Sequence, residues 1–334
     1  MAEPDKAPRG HIVRSRFRPA WWLPGPHLHT LWPSLFRRRP LLDMRRRRIE
    51  LHDGDFIDLA LPNAEQDRPR VLIIHGLEGD LQSHYAASLM VRLLAAGWQP
   101  VFMHLRGSSG VFNRLDRAYH SGASDDLAEV LDILQADPQC PVVAAVGFSL
   151  GGNLLLKYLG ECPQPQLSMA VAVSVPFVLR DAMLRLDQGF SVIYRRHLIS
   201  RLKASYRRKF DGVERVSPLA VELDDIHDFN SFDERITSPL NGFAGVFDYY
   251  TRANARQYLP QIDTPTWIFE CPRRSFHVSG HHPLRPGARP GVTLELSDGG
   301  GHVGFVHGRW PWRPRYWLDE RITELLQPWL PGHV

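Results

Sequence analysis

Pro141-Val142-Val143-Ala144-Ala145-Val146 runs directly into Gly147-Phe148-Ser149-Leu150-Gly151, and Asn153-Leu154-Leu155-Leu156-Lys157-Tyr158 follows. An apolar β-branched run, a Gly-x-Ser-x-Gly and a second apolar stretch read as strand, sharp turn and helix. The flanking carries the assignment, because the five-residue pattern alone is common. In such a turn the glycines relieve crowding around a serine held in strained backbone. The turn lifts the Ser149 hydroxyl above the sheet edge, and the helix N-terminus beneath it favours developing negative charge. Ser149 is the candidate nucleophile.

Working outward, the chain alternates strand and helix signals. Arg48–Leu51 and Phe56–Leu61 flank Asp53-Gly54, a hairpin signature. Val71-Leu72-Ile73-Ile74 fits a buried parallel strand. Residues 84–96 have helical spacing and stop at Gly97, residues 99–104 read as a strand, and residues 125–135 as a helix. Met169–Val175 is the strand expected after the serine helix. This alternation predicts an α/β protein with a mostly parallel, doubly wound sheet. It breaks between residues 177 and 260, a helix-like stretch rich in Arg and Tyr that predicts an inserted helical cap with a solvated basic face. Strands at Pro265–Phe269 and Val292–Leu296 and a helix at Tyr316–Leu326 close the chain. The expected organisation is an arm (1–48), a first core part (49–176), a cap (177–260) and a second core part (261–330).

With 334 residues, 43% of them hydrophobic, the chain can bury a large core. Cys140, Cys162 and Cys271 show neither metal-like nor disulfide-framework spacing, which fits a reducing, cytoplasmic setting. No run of about 18 apolar residues is present to span a membrane. Charge is distributed unevenly: residues 1–48 hold 12 Lys/Arg against 3 Asp/Glu, the remainder 28 against 33. The basic segment interleaves with Trp21, Trp22, Trp32, Leu35 and Phe36 and contains Arg37–Arg39 and Arg45–Arg48. It reads either as an arm packed on the domain through its tryptophans or as a membrane-surface contact. No nucleic-acid-binding motif accompanies the charge, so nucleic acid is not an expected partner.

Two further segments complete a chemical constellation with Ser149. His75-Gly76-Leu77-Glu78-Gly79 follows the Val71–Ile74 strand, and in this architecture a backbone N–H just past such a turn forms half of an oxyanion hole. Leu77 and Leu150 are the expected donors, with His75 shaping the turn. Gly299-Gly300-Gly301-His302 follows the last strand, which makes His302 the candidate general base.

Taken together, His75–Gly79, Met103-His104-Leu105-Arg106-Gly107-Ser108-Ser109-Gly110, Tyr119-His120-Ser121-Gly122, Gly147–Asn153, Gly300–Phe305 and Pro26-His27-Leu28-His29-Thr30-Leu31-Trp32-Pro33 resemble the YheT-like α/β-hydrolases over about residues 17–325. The resemblance implies an α/β-hydrolase fold and a serine hydrolase acting on acyl esters or lipids, without metal or organic cofactor. By motif, Ser149 would be its nucleophile and His302 its base; Arg106 and His120 also fall in the matching motifs and read as loop scaffold rather than as substrate contacts.

One motif departs from the family. Where a triad Asp is expected after the Trp267–Phe269 strand, in an Asp-Asp-Pro-Phe-Met-like run, this chain has Cys271-Pro272-Arg273-Arg274-Ser275-Phe276-His277. No Asp or Glu occurs from Cys271 through Gly291. Glu270, at the strand end, is the nearest substitute acid, ahead of Asp181 and Asp298. Without a working acid, the alternative reading is a catalytically impaired protein that binds acyl ligands or a membrane surface. With one choice of synonymous codons for residues 271–283, the frame one base later spells Ala-Arg-Asp-Asp-Pro-Phe-Met-Ser-Pro-Asp-Thr-Ile. A compensated frameshift across residues 271–290 is therefore expected to show in the gene. Its nucleotide sequence checks this: codons that fail to give Asp-Asp-Pro-Phe in the shifted frame contradict it.

Overall fold

The computed structural model describes residues 11–63, 67–210, 215–271 and 291–330. Nine strands form one sheet: β1 (His11–Arg14), β2 (Met44–Glu50), β3 (Phe56–Pro62), β4 (Arg70–Ile74), β5 (Gln99–Met103), β6 (Val142–Phe148), β7 (Met169–Val173), β8 (Thr266–Glu270) and β9 (Val292–Leu296). Their order across the sheet is β1-β9-β8-β7-β6-β4-β5-β3-β2. β3 runs antiparallel to both β2 and β5, and every other pair is parallel. A two-stranded ribbon, β10 (Val306–His307) with β11 (Arg315–Tyr316), stands apart.

Strands β3 to β7 are buried along their whole length, which is why they read as continuous apolar runs. The helices that cover them are amphipathic and lie on both faces. On one face α3 (Ser124–Gln135) and α4 (Leu150–Glu161) pack through Leu127, Leu131 and Leu154. On the other, α2 (Ala86–Ala95) and α10 (Trp317–Leu326) pack through Leu89, Leu93, Leu318 and Ile322. This is the doubly wound arrangement expected from the sequence. Such sheets present the C-terminal ends of their strands to ligands. The insertion between β7 and β8 holds α5 (Leu179–Leu186), α6 (Ser191–Phe210), α7 (Phe229–Phe232), α8 (Ser238–Leu240) and α9 (Val246–Ala253), with no strand among its described residues.

Several elements depart from the sequence reading. β1 adds a parallel edge strand to β9, and β2 begins at Met44, so the stretch read as an arm holds β1 and most of β2. The Arg45–Arg48 run is part of β2. There Arg48 makes a forked contact with the buried Asp58, at 2.9 and 3.2 Å, and stacks on Phe56. The arm also contributes α1 (Pro26–Phe36), a helix that was not anticipated. β7 stops at Val173 because Ser174 turns the chain with φ 55°. The basic face of the cap is only partly solvated. Lys209 is buried and donates to Asn113 Oδ1 at 2.9 Å and to the Arg117 carbonyl at 2.8 Å, fastening α6 to the core. Burial lowers the Lys209 pKa to about 8.

Four histidines, His29, His75, His104 and His120, are buried in this framework. Desolvation lowers His29 to about 4, and His75 and His120 to about 3, from 6.5. A base that resists protonation only when folded adds no pH dependence above its unfolded value near 6.5. As the pH falls below that value, the unfolded chain takes up the proton first and stability is lost. At about pH 5.5 each of His29, His75 and His120 should cost about 1.4 kcal/mol, about 4 kcal/mol together, and His84 and His104, lowered by burial as well, add to the loss. Urea unfolding at about pH 7.5 and about pH 5.5 checks this, and an unchanged midpoint contradicts it.

Candidate active site

Ser149 lies between β6 and α4 with φ 53° and ψ −115°, a strained conformation for a residue with a Cβ. Close packing holds it there. A Cβ on Gly147 would lie 2.4 Å from the Gly151 carbonyl oxygen, and one on Gly151 would lie 2.5 Å from that of His75. Only glycine lets the start of α4 press against the ends of β6 and β4. The Ser149 N–H donates to the Val173 carbonyl at 2.8 Å, and its own carbonyl accepts from Asn153 N–H at 3.0 Å. Asn153 in turn donates to the carbonyls of Ser121 and Ala253 and accepts from Ala255 N–H. The elbow helix is thereby tied to both core and cap.

His302 reaches the serine from the loop after β9. Its Nε2 lies 2.9 Å from Ser149 Oγ. The loop is shaped by Val303 at φ 57°, by Gly301 N–H donating to the Gly304 carbonyl at 2.7 Å, and by Val303 N–H donating to Ser174 Oγ at 3.2 Å. Helix α1 braces it, with the His302 N–H donating to Thr30 Oγ1 at 2.9 Å. A Cβ on Gly304 would fall 1.9 Å from the His29 carbonyl oxygen, so α1 and this loop meet backbone to backbone.

The His75–Gly79 turn faces Ser149 from the end of β4. A Cβ on Gly76 would lie 3.2 Å from that of Ser149. Leu105 N–H donates to His75 Nε2 at 3.1 Å, which places the proton on Nδ1, within 2.7 Å of the Gly76 carbonyl. A histidine so buried and pinned shapes the turn, as anticipated. Gly76 N–H is spent on the Tyr85 hydroxyl, Glu78 N–H on the Tyr119 hydroxyl, and Gly79 N–H on the Gly76 carbonyl. Of the Gly76–Gly79 amides, Leu77's is the one with no acceptor among the described residues. Leu150 N–H belongs to the first turn of α4, where no carbonyl within the helix can accept it. The two amides expected to face an oxyanion are therefore both without a backbone acceptor among the described residues.

Glu270 ends β8 and is buried, and its Oε1 accepts the Val175 N–H at 2.8 Å. Asp298 instead pairs with Arg14 of β1 on an exposed edge of the sheet. Asp181 lies in the first turn of the cap helix α5. Residues 272–290, where the family acid and the frame reading fall, lie outside the described residues. Arg106 is scaffold, buried against Asp53, Asp55 and Asp126 at 2.9, 2.8 and 2.6 Å. His120 is also scaffold, its Nδ1 accepting from Gly122 N–H. Among the described residues, no three His, Cys, Asp or Glu side chains gather to hold a metal ion.

The sequence reading missed three positioning residues: Thr30, Glu78 and Tyr119. Glu78 adopts φ 53° and links the turn to the cap. Arg201 of α6 donates to its carbonyl at 2.8 Å, while Ser205 and Tyr119 donate to its carboxylate at 2.9 and 3.0 Å. All three residues fall inside motifs quoted above, so the signal lay in position and not in residue type.

Residues 69–269 match the sequence profile of the alpha/beta hydrolase fold. The chain belongs to the alpha/beta hydrolases. It is 38% identical over 309 residues to the esterase candidate YheT of Escherichia coli (strain K12), covering 91% of each chain, which bears out the resemblance read from the motifs. It is 27% identical over 331 residues to human phospholipase ABHD3, covering 95% of this chain and 80% of that one. Among solved structures, the esterase Pf2001 of Pyrococcus furiosus shares the fold with a TM-score of 0.54 at 16% identity, over 86% of this chain and 94% of that one.

The contact between α1 and the His302 loop yields a prediction. Gly304→Ala forces its Cβ into backbone, so it should cost about 3 kcal/mol or more. Urea unfolding measures this, and a loss within the noise would show that α1 does not brace the loop.

Proposed function

We propose that this alpha/beta hydrolase is a serine-dependent carboxylic ester hydrolase acting on acyl or lipid esters. The observation that carries the reading is the 2.9 Å contact between Ser149 Oγ and His302 Nε2, made at a strained elbow with two amides nearby. The esterase and phospholipase names of its relatives support the substrate class.

In the proposed reaction His302 Nε2 takes the hydroxyl proton as Ser149 Oγ bonds to the ester carbonyl carbon. Negative charge passes to the carbonyl oxygen, where the N–H groups of Leu77 and Leu150 and the start of α4 stabilise it. The intermediate collapses, the bond to the alcohol oxygen breaks, and His302 returns the proton to the departing alcohol. The acyl group is left on Ser149. Water then attacks through the same base, releasing the carboxylic acid and restoring the serine. An alcohol in place of water gives acyl transfer instead. Glu270 is the proposed acid. Its buried Oε1 accepts the Val175 N–H, and a carboxylate near His302 would stabilise the imidazolium formed at each step.

Turnover of p-nitrophenyl esters of increasing chain length tests this reading. Ser149→Ala and His302→Ala should each lower kcat/KM by about 10⁴-fold or more. Glu270→Gln keeps an acceptor for Val175 N–H while removing the charge, and should lower kcat by about 100-fold or more with KM little changed. Binding of esters without turnover by the unaltered chain would favour the impaired binding protein instead.

A further inference from the structure

We propose that the hydrolase docks on anionic lipid surfaces through the β10–β11 ribbon tip and the tryptophan-bearing arm packed beside it. The proposal rests on the lipid-ester reading of the active site and names the surface from which such a substrate would be taken. The ribbon tip is Gly308-Arg309-Trp310-Pro311-Trp312-Arg313-Pro314. Arg313 N–H donates to the Trp310 carbonyl at 3.1 Å, closing a turn that two prolines stiffen. Trp310 and Trp312 stack at 5.2 Å with their rings 9° apart, and Trp312 is 72% exposed.

The arm continues this surface by direct contact. Trp21, 73% exposed, donates its indole N–H to the Arg309 carbonyl at 2.9 Å, and Trp22 donates to the Gly308 carbonyl at 3.2 Å. Trp22 meets Trp32, and Trp32 meets Phe36, at ring distances of 4.8 and 4.5 Å. Phe36 and its neighbour Leu35 are 61% and 69% exposed. The polar atom of Trp21 is already satisfied, so it offers an apolar ring to the surroundings. Water is a poor partner for so many adjoining exposed rings, whereas the headgroup boundary of a bilayer suits aromatic side chains.

The charge identifies the occupant. Arg309 and Arg313 flank the tryptophans and are exposed, and no Asp or Glu occurs from residue 299 to residue 318. Arg38, just beyond α1, is exposed as well. Aromatic rings set among guanidinium groups that pair with no carboxylate among the described residues match an anionic lipid surface. The chemistry lies close by: α1, whose C-terminal end carries Leu35 and Phe36, also holds His302 through Thr30. At its other end, His27 stacks on Tyr194 of the cap helix α6. Docking through this helix would bring a bilayer against the rim where cap and serine loop meet.

Co-sedimentation of the full chain with vesicles tests the proposal. Phosphatidylcholine vesicles are compared with vesicles containing about 30% phosphatidylglycerol, at low and at high salt. Binding is expected to the anionic vesicles and to weaken with salt. The double variant Trp310→Ala/Trp312→Ala should weaken it about tenfold or more, and Arg309→Gln/Arg313→Gln about thirtyfold. Both variants should cleave a soluble short-chain ester as the unaltered chain does. Failure to bind vesicles, or binding that ignores both variants, overturns the proposal, and so does equal binding to neutral and anionic vesicles. Loss of ester cleavage in the unaltered chain with vesicle binding intact would instead remove the catalytic reading and leave the docking surface standing.

Discussion

The backbone approach at Gly147 and Gly151 is the constraint on which this structure depends. Two positions without side chains let the first turn of α4 press against the ends of β6 and β4, and that contact confines Ser149 to a positive φ. Any Cβ at either glycine would meet backbone, and backbone cannot yield as a flexible side chain can. The strain is held because the helix is buried almost throughout and Asn153 ties it to both core and cap. The sheet fixes the elbow, the elbow fixes the serine, and the remaining groups converge on it from the ends of β4 and β9.

What was legible in the sequence follows from how each element is held. Strands β3 to β7 are buried on both faces, so their apolar runs could be read directly, and the alternation of strand and helix gave the mostly parallel, doubly wound class. The elbow, the His75 turn and the His302 loop were legible because their glycines mark close approaches that a Cβ would block. β1 was not legible: His11-Ile12-Val13-Arg14 is short and largely exposed, and its partner β9, not its own pattern, makes it a strand. α1 was hidden by Pro33 and by His29, which is buried where the helix meets the His302 loop. The arginines of β2 looked like free charge until Asp58 and Phe56 were seen beneath Arg48. Lys209 resembled any other cation on a helix face until the Arg117 loop folded around it.

The resulting picture gives the N-terminal segment and the cap shared duties. α1 braces the His302 loop through Thr30 and touches α6 through His27 and Tyr194, while α6 holds Glu78 beside the amide of Leu77. The groups proposed for catalysis therefore do not rest on the sheet alone. Change at the surface of α1 or of the cap can reach the serine through one or two contacts. A fold family that hosts many chemistries leaves such peripheral contacts to set the particular one.

The central claim is that Ser149 is a nucleophile activated by His302. Reaction of the unaltered chain with a fluorophosphonate, followed by mass spectrometry of the modified peptide, addresses it most directly. Rapid, single modification at Ser149 that His302→Ala abolishes is expected. Labelling that is absent, lies elsewhere, or appears only when Arg274→Asp restores the family acid would contradict it.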